Sequence, residues 1–163
     1  MPLPFYMSVK GDKQGLISGR AGEQTSHEDE ILCQAFRHKV YVPHDSASGA
    51  PTGKRVHGPL IITKNVDRST PLLYSAMVNN ERLTKVIIKH YKPDLTGVQQ
   101  NHFTVELDDA IIVAIEASQP NYLDKAKEQF TYTEEVSFAY QKITWTWEDG
   151  GVMSMDEWMV DNS

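Results

Sequence analysis

A chain of 163 residues with a formal net charge of −6 is long enough to bury a core without metal or disulfide staples, and it reads as one domain spanning residues 1–163. The acidic balance argues against general affinity for nucleic acid or anionic membrane. One cysteine, Cys33, excludes an intrachain disulfide; set in an apolar run, it reads as a buried, inert thiol compatible with a reducing cytosol.

The N-terminal stretch MPLPFYMSVKGDK lacks a basic start followed by an apolar block, so no secretory signal is expected. No apolar run approaches the length of a membrane-spanning helix. Phe5 to Lys10 predicts a first strand, closed by Gly11-Asp12. Leu16-Ile17 is a short apolar pair, and Gly19 to Glu30 is a polar loop. Ile31 to Val42 predicts a second long strand, with Leu32, Phe36, Val40 and Val42 on one face and Arg37 and Lys39 on the other; Pro43 ends it. His44 to Gly58 is the longest loop, with almost no apolar anchor, and loops of that length in small domains are functional or disordered. Leu60 to Thr63 is a short strand.

A helix over about residues 70–80 follows. Ser69 or Thr70 is placed to cap it and Pro71 suits its first turn. Leu72, Leu73, Ala76 and Met77 form its apolar stripe, and Asn79-Asn80 suit its exit. So short a helix must pack on a sheet. Arg82 to Lys92 predicts a strand and Pro93 to Gly97 a turn. Asn101 to Glu116 is the longest strand candidate. Its odd positions from Phe103 to Ile115 form a face expected to stay buried throughout, with Asp108-Asp109 marking a turn, a bulge or a hairpin of two shorter strands. Asn121 to Phe130 is open between loop and helical turn.

Glu134 to Gly151 is the most informative segment. Val136, Phe138 and Tyr140 share one parity, and Ile143, Trp145 and Trp147 share the other, so a β-bulge is expected at Gln141-Lys142. Phe138, Ile143, Trp145 and Trp147 are the candidate core anchors, while Lys142, Thr144 and Thr146 are candidates for a wet wall. The acidic tail VMSMDEWMVDNS, with three methionines and a tryptophan, reads as a docked terminus or a partner-binding segment. A straight 14-residue strand spans about 46 Å at about 3.3 Å per residue, against roughly 40 Å for a domain of this size. The expected fold class is therefore mainly β: a β-barrel or curved β-sandwich with one flanking helix.

Catalytic and ligand motifs are lacking. GAPTGKR from Gly49 to Arg55 has three residues between its glycines where a phosphate loop needs four, and Arg55 stands where that loop needs Ser or Thr. His27, His38, His44, His57, His90 and His102 form no metal-ligand pair. Asp108-Asp109 and Glu134-Glu135 point to opposite faces of their strands, so neither pair converges on a substrate. His44-Asp45 lacks an accompanying nucleophile, and a turn-forming Asp explains it. No enzyme activity, cofactor or metal is expected.

Three blocks resemble the Hcp proteins, tube components of the bacterial type VI secretion system, in the enterobacterial-type branch: FYMSVKGDKQGLISG, then LCQAFRHKVYVPHD leading to GKRVHGPLIITKNVDRSTPLL, then EEVSFAYQKITWTWEDGG. The resemblance implies a structural subunit with a phage tail-tube-like fold. It implies a homohexamer whose rings stack into a tube, expelled by contraction of a sheath behind a spike protein, with effector proteins in the lumen. It also implies assembly in the bacterial cytoplasm and export without a signal peptide or membrane insertion. The alternative is a small β-barrel protein-binding or chaperone module that forms no tubes. Within the resemblance, the candidate contact loop onto a neighbouring subunit or ring is His44, Asp45, Ser46, Ala47, Ser48, Gly49, Ala50, Pro51, Thr52, Gly53, Lys54 and Arg55.

Overall fold

A computed structural model describes residues 3–19, 27, 29–127 and 131–158. Parts of the loop expected over Gly19 to Glu30, of the segment Asn121 to Phe130 and of the C-terminal tail lie outside the described residues; Lys125–Lys127 forms one 3-10 turn.

The spine is one 20-residue strand, β9 (Gln99–Ser118). Its first half lies between β8 (Leu83–Pro93) and β11 (Lys142–Trp147). Its second half pairs with β10 (Thr133–Ala139). Beyond β8 come β1 (Phe5–Gly11) and then β2 (Gly15–Ile17) and β3 (Ile31–Cys33), both paired to β1. Beyond β10 come β7 (Leu60–Asn65) and β4 (Ala35–Arg37). The ladder is antiparallel throughout, and β9 passes from one wall to the other.

That passage explains the parity of β9. Val105 and Leu107 point inward, then Ala110 and Ile112 do. Asp109 lies between them with φ 52°, a left-handed residue where Thr84 and Asp109 both drop out of the β8 ladder while its register is kept. A register shift opposite Ser137/Phe138 then returns Ile115 to the inner side. The expectation of one face buried throughout is corrected: Ile111 and Val113 are exposed, because each irregularity exchanges the two faces.

The strand expected over Ile31 to Val42 is also corrected. It breaks into β3, β4 and β5 (Val40–Tyr41). Ile31 and Cys33 are buried, whereas Val40 and Val42 are exposed. The reason is a change of partner. β3 pairs with β1 on one wall and β4 with β7 on the other, and the Gln34 amide between them donates to the Thr63 carbonyl at 2.8 Å. The two walls are therefore joined by this crossing, by β9 and by the step from β10 to β11, which gives a mainly β, barrel-like body. Burial pushes the Cys33 thiol pKa far above its ordinary range, so it stays protonated and unreactive.

The helix α1 (Thr70–Val78) packs against β9 through buried Leu73 and Ala76. Ser69 occupies the N-cap position but makes no side-chain cap bond. Asp67 organises the entry instead: its Oδ1 accepts the Ser69 amide (2.8 Å) and hydroxyl (2.5 Å). Beneath the helix entry lies a feature the sequence reading passed over. The inward row Leu60, Ile62, Lys64 on β7 faces Val136 and Glu134 on β10, and Lys64 Nζ meets Glu134 Oε1 at 2.5 Å with both side chains buried.

The segment Glu134 to Gly151 is two strands rather than one with a bulge. At Tyr140-Gln141 the chain leaves β7 and takes a new neighbour, β12 (Val152–Glu157). Phe138 and Ile143 are fully buried, and Trp145 is half-buried against the core. Trp147 is corrected: it is 43% exposed at the free end of β11, with Lys92 Nζ 5.3 Å from its ring centre, and is no core anchor. The tail through Glu157 is a strand on the sheet edge, since its alternating polar and methionine residues pair with β11 along its whole length.

Candidate assembly arm and its anchor

His44 to Arg55 is an ordered hairpin arm. At its base, β5 pairs with β6 (Val56–His57) in a two-stranded ladder separate from the main sheet. Further out, His44 bridges to Pro51 and the Thr52 amide donates to the Pro43 carbonyl at 2.8 Å. Asp45 builds the tip. Its carboxylate accepts the Ala47 amide (3.0 Å) and the Ser48 hydroxyl (3.1 Å), which holds its pKa below the usual range. Gly49 then turns with φ 73°, a conformation available to glycine without a Cβ penalty. Every residue from His44 to Arg55 is exposed. The arm's order thus comes from local hydrogen bonds, which compensate for its lack of apolar anchors.

The arm is fixed to the body at its root by side chains. Arg55 grips Asp156 of β12 with two parallel bonds, Nε to Oδ2 and an Nη nitrogen to Oδ1, both 2.9 Å, and donates a third to the Glu157 carbonyl. His57 Nε2 lies 2.7 Å from Asp156 Oδ2, and His57 Nδ1 lies 2.6 Å from the Tyr140 hydroxyl. His38 Nε2 reaches the same hydroxyl at 2.7 Å. The His57 ring stacks on Trp158, centroids 4.9 Å apart, and Trp158 Nε1 donates to the Tyr140 carbonyl at 3.2 Å.

Donor and acceptor roles follow from the carboxylate. Ionised Asp156 only accepts, so His57 Nε2–H donates to it. His57 Nδ1 then accepts the Tyr140 proton, and the Tyr140 oxygen accepts from His38 Nε2–H. The Arg55 bonds, opposed by desolvation and helped by His57, lower the Asp156 pKa to about 2. Burial, then the Asp156 charge, pushes the Tyr140 pKa well above its ordinary value, so the phenol stays protonated.

The sign of the Asp156 linkage is fixed by that shift. A carboxylate with a lowered folded pKa adds stability that is present above its unfolded value near 4 and lost as pH falls through about 2. Its side chain is 29% exposed, so solvent screening leaves a contribution on the order of 1 kcal/mol. The expected result is an acid transition between about pH 4 and pH 2 that is shallower in Asp156→Asn, measured by denaturant titration at each pH. Equal acid slopes in both proteins would contradict the assignment.

A cleft of about 550 Å³ opens at one end of the body between Phe5, Phe36, His90 and His102. Among the described residues no group of three or more His, Cys, Asp or Glu is placed to hold a metal ion. His44 and Asp45 are adjacent at the arm tip, with Asp45 spent on the turn. Arg55 belongs to the anchor, whereas no single sequence motif joins it to Asp156, 101 positions away.

The family described as type VI secretion system effector, Hcp, matches residues 6–147. A protein of Pseudomonas aeruginosa named major exported protein is 45% identical over 97% of this chain and 96% of its own. A crystal structure titled Hcp protein superposes with a TM-score of 0.90 at 35% identity, covering 96% of this chain and 98% of that one. A structure of Hcp1 from E. coli EAEC 042 gives 0.84 at 31% identity, covering 96% and 99%. With a family match over most of its length and close relatives that cover it almost end to end, the chain belongs to the Hcp family of the type VI secretion system.

Proposed function

We propose that the chain is the structural subunit of a type VI secretion inner tube. Six copies close into a ring, and rings stack into a tube. Sheath contraction expels the tube behind a spike protein, with effector proteins carried in the lumen. The role asks for no catalytic group; it asks for a rigid wall and complementary edges. The observation that carries the reading, on a member of this family, is the sheet edge at β12. Among the described residues this strand is paired on one side only, by β11. It presents Val152, Met153 and Met155 at 68%, 57% and 53% exposure. An open apolar strand edge is a template for another chain, and ring closure covers it. The arm from His44 to Arg55 contacts the adjoining subunit or ring. Assembly takes place in the cytoplasm and export follows through the secretion apparatus; no helix among the described residues is long and apolar enough to cross a membrane.

Electron microscopy of the purified protein tests the reading. Stacked annuli are expected for the intact chain, and unstacked annuli after deletion of Ala47 to Lys54. Isolated compact particles of single chains would overturn it in favour of a binding module that forms no tubes.

A further inference from the structure

The root of the arm holds more chemistry than an anchor requires. Beside the Arg55–Asp156 grip, two histidines from the arm's own base converge on one body hydroxyl. His38 precedes β5 and His57 lies in β6, so both flank the hairpin, whereas Tyr140 and Asp156 belong to the wall. The base ladder is separate from the main sheet, so these side chains set how the arm sits on the body.

The hydrogen-bond count of this cluster depends on its protons. With both histidines neutral, donation runs one way: His38 to Tyr140, Tyr140 to His57, His57 to Asp156. With one added proton on His57, its Nδ1–H donates to the Tyr140 oxygen, and the phenol proton turns to His38 Nε2. In that state the phenol and both His57 nitrogens are again paired, with the His38 proton on Nδ1. With both histidines protonated, both rings donate to the phenol oxygen and its hydrogen loses its acceptor. Two cations then face each other with ring centroids 6.4 Å apart. Burying an unpaired hydroxyl beside two like charges is unfavourable. The charged and titratable groups around His57 are Asp156 from β12, Arg55 from the arm, Tyr140 from the β10–β11 link and His38; Trp145 and Trp158 close the rest. Asp156 stays ionised until far below the histidine range, so the carboxylate does not titrate in the same window.

We propose that His38, Tyr140 and His57 form a proton-counting latch that holds the arm's base rigidly on the wall with zero or one added proton and loosens it about the Arg55–Asp156 pair when both histidines are protonated. The direction of the His38 shift agrees. Burial first, then His57, lowers its pKa. A histidine lowered in the folded state supports the closed arm fully above its unfolded value near 6.5, and that support declines as pH falls below it.

The arm's use in tube assembly rests on the proposed function; the latch does not, and its test reads the arm directly. Cys33 is buried, so a nitroxide on Ala47→Cys, whose side chain makes none of the tip's hydrogen bonds, reports the arm tip. Its electron paramagnetic resonance spectrum is expected to lose its immobilised component between pH 7.5 and pH 5. His38→Gln, which keeps a donor and cannot titrate, is expected to hold that component at both pH values. Tyr140→Phe is expected to lack it at both. Sedimentation followed in parallel records assembly: a ringless protein that still shows the step supports the latch and sinks the tube reading. A spectrum unchanged by pH in the parent, or an equal step in His38→Gln, overturns the latch. Circular dichroism at each pH confirms that every variant compared is folded.

Discussion

Replacing Lys64 by methionine is expected to destabilise the fold by about 3–5 kcal/mol, lowering the melting temperature by about 10 °C for a chain of this size. Lys64 Nζ is fully buried and holds Glu134 Oε1 at 2.5 Å, Asp67 Oδ1 at 3.1 Å and the Asn65 carbonyl at 2.9 Å. Without it, the Glu134 carboxylate, itself 1% exposed, keeps only the Thr70 hydroxyl at 2.8 Å. Its second oxygen already has no hydrogen-bond partner among the described residues. The pair therefore matters through what is left behind when it is broken. Glu134→Ala leaves Lys64 with Asp67 still in reach, so it falls at the lower end of the range. The double replacement Lys64→Met with Glu134→Leu removes both charges and is expected to recover most of the loss. Denaturant unfolding of the four proteins at one protomer concentration measures this. A single variant as stable as the double one would refute the account of the pair.

The second large effect concerns assembly. Met153 and Met155 are register partners of Thr146 and Thr144, which in turn face Thr104 and Glu106 of β9. They end the outer-face rows of the wall at its open edge. Aspartate at both positions leaves the core untouched, since both methionines are exposed, and monomer stability should move by no more than about 0.5 kcal/mol. In a closed ring the same two charges would be buried without partners, each costing several kcal/mol. The expected outcome by sedimentation is a folded monomer, where a ring is the expected state of the parent. Rings persisting at parental strength would place the contact elsewhere.

Much of the body was legible in sequence because strands announce themselves by parity. Val136, Phe138 and Tyr140 against Ile143 put the change of face at Gln141-Lys142, and the structure has it between buried Tyr140 and buried Ile143. What parity could not say was that the change is a transfer between partners, since pairing is a long-range property. The same blindness merged β3, β4 and β5 into one strand. Asp108-Asp109 marked an irregularity in β9 as a turn, a bulge or a hairpin; it is a left-handed kink at Asp109 within one continuous strand that keeps its register to β8. Thr144, read as a candidate for a wet wall, is 8% exposed, because neighbouring rows cover it. Lys64 was readable in principle: it continues the inward row Leu60, Ile62, just as Glu134 begins the inward row Val136, Phe138. Opposite charges at facing ends of two apolar rows signal a buried pair. The arm's anchor had no such signal, because Arg55 and Asp156 meet only once the whole wall is built.

The central claim is that this chain closes on copies of itself, and native mass spectrometry at micromolar concentration tests it most directly. The account predicts a dominant species of six copies of the 18.4 kDa chain. A spectrum holding only the 18.4 kDa monomer would contradict it.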